Sequence, residues 1–240
     1  MHVVVDGLRK TLGWELILDD ISFEIPSGSL VAVLGLNGCG KTTLLRCLST
    51  ISSPDRGRIL LDGEPLNRKR LDLRKRLHFV PDAPMFSDEW DAVEYLSFVL
   101  YGYGCTEKGI EDRVEQLLDE LQVREVSPLR GAQLSRGQRH KIALATLFAL
   151  DPDLWLCDEP FASGMDPAGL KTYRKHARGA TQNGHTVIYS TQILEIAESF
   201  ADLVCVIHQR QVKFFGTLEA MREHDQSQSD LNSLFSMLTD

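Results

Sequence analysis

Residues 35–43 read GLNGCGKTT, with three glycines, a lysine and two threonines crowded behind the apolar run Ser29–Leu34. The pattern G-x-x-x-x-G-K-[ST] is met by Gly35, Gly40, Lys41 and Thr42, with Leu36, Asn37, Gly38 and Cys39 between them. A phosphate chain must approach several backbone N–H groups at once, which glycine permits because it carries no side chain and reaches positive φ freely. The loop opens onto a helix start, whose unpaired N–H groups and dipole favour anions. In that arrangement Lys41 reaches the β- and γ-phosphates, Thr42 ligates Mg²⁺ and Thr43 bonds the α-phosphate. Cys39 sits near the helix N-terminus, where a thiol pKa tends to fall; it is read either as a thiol whose alkylation Mg-ATP prevents or as an unreactive small filler.

A second group of chemistry-bearing residues lies far downstream. The apolar strand LWLC ends in Asp158 and Glu159. An acid at a strand end beside a phosphate loop is placed to hold Mg²⁺ through its waters, and this is the role expected of Asp158. Glu159 follows as the base that activates water.

The elements that must position these groups alternate. Short strands are expected at Val3–Val5, Leu16–Leu18 and Ile21–Ile25, with turn residues Asp19, Asp20, Pro26, Ser27 and Gly28 between, and again at 56–66 and 77–81. From about Trp90 to Gln133 helical spacing takes over, with Val114, Leu117, Leu118 and Leu121 on one face. Helices at 137–150, 167–183 and 193–201 then alternate with strands at 154–158, 185–190 and beyond, the signature of a largely parallel α/β sheet. The chain has 240 residues, 43% of them hydrophobic, enough for one large domain with its own core. Its net charge of −8 disfavours a general nucleic-acid binder. The five scattered cysteines form no CxxC pair, which argues against structural zinc and disulfides and for a reducing, cytosolic compartment. No apolar run approaches the length of a membrane span, no leader peptide is evident, and no internal repeat is found. The polar stretch 225–230 reads as a linker. After it Leu231, Leu234, Phe235 and Leu238 form an apolar stripe, for packing on the same domain or for docking a partner.

Further motifs add a family resemblance. LSRGQ (134–138) resembles the ABC ATPase signature LSGGQ, and SGMD (163–166) resembles the D-loop of that family. The order phosphate loop, helical insertion, signature, DEP, SGMD and a strand ending YST also matches, over about residues 3–218. The sequence thus resembles the nucleotide-binding subunit of an ABC transporter, close to the ABC-2-type exporter branch. The resemblance implies a P-loop NTPase core with a mostly parallel sheet, an N-terminal antiparallel β subdomain and an inserted helical subdomain at about 88–150. The ATPase domain would run over 1–224, with the linker and short helix over 225–240. It implies ATP and Mg²⁺ as cofactors and a head-to-tail dimer, either of two copies or with a related subunit. In that dimer ATP lies between one loop at 35–43 and the facing Ser135, Arg136, Gly137 and Gln138, with Asp166 of the D-loop nearby. It also implies separate transmembrane permease subunits, no nucleic-acid partner, and a peripheral position on the cytoplasmic face of the cell membrane. Met85, Phe86 and Trp90 would either receive a permease helix or belong to the local core.

Four departures from the family pattern stand out. Leu12 replaces the aromatic that stacks on adenine, and Trp14 either substitutes for it or packs in the sheet. Arg136 replaces a signature glycine, lying at the surface or adding a phosphate contact. Asp82 replaces the Q-loop glutamine and can still serve Mg²⁺ or its water shell. Gln192 replaces the switch histidine; it can donate a hydrogen bond to the γ-phosphate but carries no charge. The expected activity is therefore ATP hydrolysis at a rate slowed by Gln192 and Asp82; the second reading is a soluble ABC ATPase or a regulatory ATP switch with weak hydrolysis.

Overall fold

The computed structural model describes residues 1–106, 108–161 and 165–224. The expectations for Ser163, Gly164 and 225–240 therefore lie outside the described residues. In chain order the elements are β1 (Val3–Leu12), β2 (Glu15–Ile25), β3 (Leu30–Leu34), α1 (Lys41–Leu48), β4 (Arg56–Leu61), β5 (Glu64–Pro65), α2 (Leu71–Arg74), β6 (Leu77–Val80), α3 (Ala92–Tyr103), α4 (Ile110–Glu120), a 3₁₀ turn (Gly131–Gln133), α5 (Arg136–Leu150), β7 (Leu154–Cys157), α6 (Pro167–Gln182), β8 (Thr186–Thr191), α7 (Leu194–Phe200), β9 (Leu203–His208), β10 (Gln211–Gly216) and α8 (Leu218–His224).

Two sheets result. One is antiparallel, in the order β2-β1-β4-β5; the other runs β10-β9-β3-β8-β7-β6 and is parallel except at its β10 edge. The central strands are buried on both faces, which explains why they read as unbroken apolar runs. Alternation sorts their side chains. Leu30, Ala32 and Leu34 of β3 join the core shared with α3–α7, whereas Val31 and Val33 join the core shared with α1 and the antiparallel sheet. The phosphate loop thus leaves a strand clamped between two cores.

One expected turn is absent. Asp19 and Asp20 do not separate two strands; they lie within the continuous β2, and Asp20 takes φ 56°. Register shifts in the β1–β2 pairing between Val5 and Thr11 absorb the irregularity, so the acids sit in a bulged ladder instead of a turn. The Asp62-Gly63 turn does form, with φ 50° and 82°, as a two-residue hairpin of type I′ requires. Helices α3 and α4 both pack on α5, giving the helical region between β6 and β7 a common spine.

Candidate functional site

The loop after β3 borders a cavity of about 410 Å³ lined by Asn37, Gly38, Gly40, Lys41, Thr42, Thr43, Asp82, Asp158 and Glu159, together with Ile17, Arg46, Pro81 and Ala83. Close approach dictates its glycines. A Cβ on Gly40, which caps α1 at φ 113°, would stand 2.6 Å from Leu18 Cδ2; one on Gly35 would stand 2.4 Å from Cys39 Sγ and 2.6 Å from Ile207 O. At Gly35 a larger residue would have to displace the β9 backbone, and at Gly40 it would have to displace the Leu18 side chain and adopt a strained positive φ.

Lys41 is buried, and its Nζ donates to Gly35 O at 2.8 Å and Leu36 O at 3.3 Å. The same ammonium lies 3.3 Å from Glu159 Oε1. Sequence separation of more than a hundred residues is closed here by β3 and β7, which flank β8 in the parallel sheet. Asp158 is buried at the end of β7, and its Oδ1 accepts a 2.7 Å hydrogen bond from Ser190 Oγ. Ser190 Oγ in turn accepts from Glu159 N at 2.8 Å. Glu159 takes φ 46°, a conformation costly for a residue other than glycine yet tolerated where its surroundings hold it. Ser190 is thus a positioning residue that sequence reasoning passed over; it stands inside the YST run at the end of β8. Ile17 was passed over too, because its strand lies in the other sheet.

The charges test the fit to a nucleotide. Lys41 and Arg46 face the three carboxylates of Asp82, Asp158 and Glu159. That lining would repel a bare triphosphate and accept one that brings a divalent cation. Among the described residues no three acidic, histidine or cysteine side chains converge as a metal cage. Mg²⁺ fits this donor set, since it is usually bound through one or two carboxylates, substrate phosphates and water. When bound there, it would neutralise phosphate charge.

Other expected site residues lie elsewhere. Ser135 caps α5: its Oγ accepts from Gln138 N at 3.2 Å, while Ser135 N donates to Gln138 Oε1 at 2.8 Å. Ser135 and Arg136 are exposed and Gly137 and Gln138 half-buried, but none of the four lines the cavity. Asp166 caps α6 through Gly169 N at 2.7 Å and pairs with Lys141 at 2.6 Å; the Lys141 hydrogen bond holds its carboxyl below the usual range. Gln192 is exposed and outside the lining, as are Leu12 and the fully exposed Trp14. Trp14 therefore does not pack in the sheet. Phe86 is core and stacks on Tyr95, whereas Met85 is exposed at 90% and Trp90 leans on the exposed Phe98. Cys39 corrects another expectation: burial pushes its thiol up, outweighing the lowering by Lys41.

A strand–glycine loop–helix with a buried lysine, facing a strand-end acid pair across a parallel sheet, defines a P-loop nucleotide-binding protein. The family model "ABC transporter" matches residues 18–162, more than half the chain. Among curated relatives, the ABC-type transporter ATP-binding protein EcsA of Bacillus subtilis is 30% identical over 86% of this chain and 83% of its own. NatA of the same organism, an ABC transporter ATP-binding protein, is 31% identical over 90% and 87%. The sulfate/thiosulfate import ATP-binding protein CysA of Gloeobacter violaceus is 33% identical over 95% and 66%. A solved structure of an ATP-binding subunit of an ABC transporter superposes with TM-score 0.92 at 29% identity, covering all of both chains. CbiO1 of Clostridium perfringens, part of the CbiONQ transporter complex, gives 0.73 at 25% identity over 98% of each. The chain belongs to the ABC transporter ATP-binding family, and it is an ATP-binding subunit of that kind. No helix among the described residues is long and apolar enough to cross a membrane.

Proposed function

We propose that the chain is the ATP-hydrolysing motor of an exporter. Mg-ATP binds at 35–43, with Lys41 on the β- and γ-phosphates, Thr42 and Asp158 at the metal, and Asp82 at its water shell. Glu159 takes the proton of the attacking water, and Gln192 approaches the γ-phosphate after closure. The observation that carries this reading is the cluster Lys41–Glu159–Asp158–Ser190, whose members hold one another beside the loop.

The working unit is a head-to-tail pair. In it the start of α5 in one copy, with Asp166 nearby, covers the nucleotide of the other. That position uses groups idle in the separate chain: the Ser135 O–H can still donate, and first-turn N–H groups lack acceptors within the helix. Trp14 stacks on adenine from the β1–β2 turn. Permease subunits dock at Met85, Trp90 and Phe98, which keeps the chain on the cytoplasmic membrane face. Export is our reading from the short helical region, by analogy with the family. A weakly hydrolysing switch is the second reading, favoured by the exposed, uncharged Gln192 standing outside the cavity.

Glu159→Gln tests the reading. The variant should bind Mg-ATP, lose turnover by about a hundredfold or more, and sediment as a dimer with ATP. Wild-type turnover in that variant would remove Glu159 as the base. Co-purification of a polytopic membrane protein from detergent extracts tests the permease partner.

A further inference from the structure

Two of the departures from the family pattern meet in space. Arg136 Nη2 lies 2.5 Å from Asp82 Oδ2, across 54 residues of sequence. Asp82 follows β6 and lines the phosphate cavity, whereas Arg136 opens α5. His140, one turn further along the same face of α5, is buried. The chain leading into α5 is tied down as well. Gly131 N donates to Trp90 O at 2.8 Å, Ala132 N to Asp88 O at 3.2 Å, and Ala92 N to Ser127 O at 3.0 Å.

The ion pair itself is open to solvent, with side chains 58% and 37% exposed. Pairs so exposed hold weakly and are screened by salt. The recorded contact to Asp82 joins one guanidinium nitrogen to one carboxylate oxygen, whereas a phosphate carries more charge and can engage both arms of the fork. An anion arriving at the start of α5 would meet Arg136 beside the Ser135 hydroxyl and the unpaired helix amides. Asp82, in turn, lines the space where a metal-bound triphosphate would lie.

We propose that Arg136 is a partner-switching residue: in the separate chain it holds Asp82 at the cavity rim, and in the closed pair it moves to the γ-phosphate of the facing copy, handing Asp82 to the metal-water shell of its own nucleotide. This rests on the head-to-tail reading above. It links the two nucleotide sites, because capture of one γ-phosphate changes the carboxylate available at the other.

The test is the ATP concentration for half-maximal dimer formation, followed by sedimentation of the full chain in a Glu159→Gln background with Mg²⁺. Asp82→Asn removes the restraint and also a carboxylate of the metal-water shell; the second loss is read alone in the Arg136→Ala background, and relative to it Asp82→Asn in the otherwise intact chain should lower the concentration about threefold. Arg136→Ala removes the phosphate contact and should raise it about tenfold or more. With Arg136→Ala already present, Asp82→Asn should no longer lower it. Arg136→Lys, charged but without the fork, should fall between wild type and Arg136→Ala. The proposal is overturned if Asp82→Asn shifts the concentration by the same factor with and without Arg136→Ala, or if Arg136→Ala lowers or leaves it unchanged. Thermal melts check that each variant is folded. If the Glu159→Gln chain binds Mg-ATP but never dimerises, the head-to-tail reading fails instead.

Discussion

The phosphate loop and the start of α5 are both glycine-containing helix N-termini, yet they differ in how complete they are. At the loop, Lys41, Glu159, Asp158 and Ser190 are already joined by short contacts within one chain. At α5, Ser135 and Gln138 satisfy each other in a capping box, and Arg136 is turned to Asp82. The first region is assembled by the parallel sheet, which brings three strand ends to one edge. At the second, Ser135, Arg136, Gly137 and Gln138 stand outside the lining of the phosphate cavity. The difference teaches that one helix start can be preorganised by charged partners from the sheet while another is closed by its own cap.

The largest test removes the lysine of the first region. Lys41→Ala leaves the half-buried Glu159 without its cation, and Mg-ATP affinity measured by calorimetry should fall by about a hundredfold or more. Retained affinity would break the comparison, since the loop would then not depend on its own chain. Next comes Ser135→Ala, which should cost about 1 kcal/mol of helix cap in a thermal melt. It should also weaken ATP-driven dimerisation about tenfold while the separate chain still binds nucleotide. Equal loss of monomer binding would erase the distinction between the regions. A smaller effect is expected at the exposed ring: Trp14→Ala should weaken ATP binding about fivefold, from ~1 kcal/mol of lost stacking. Tripolyphosphate binding should not change. The smallest test concerns Cys39. Because burial raises its thiol above the ordinary value, it should stay protonated at neutral pH and react with maleimide more slowly than an exposed cysteine. Its rate should climb as pH rises, with Mg-ATP slowing it further. Fast labelling at neutral pH would show the loop to be looser than the packed state.

Much of the fold was legible because its central strands are apolar runs and its helices keep their period. The loop at 35–43 and the Asp158–Glu159 pair were legible as contiguous motifs whose residues act through backbone position. Ser190 was not singled out, since a serine in YST becomes a positioning group only when β8 lies beside β7. Trp14 shows the reverse case: its type suggested either stacking or packing, and its place at the β1–β2 turn leaves the ring exposed. The bulged Asp19–Asp20 ladder was misread as a turn, because acids favour turns locally and only pairing with β1 overrides that preference.

By itself the sequence determined the alternating architecture, the phosphate loop and the family, since these reside in local spacing and in ordered motifs. Tertiary structure alone decided that Lys41 meets Glu159, that Ser190 holds Asp158, and that Arg136 reaches Asp82. The physical reason is range: propensity and periodicity act over a few residues, whereas charge pairing acts through space between groups that only the packed sheet brings together.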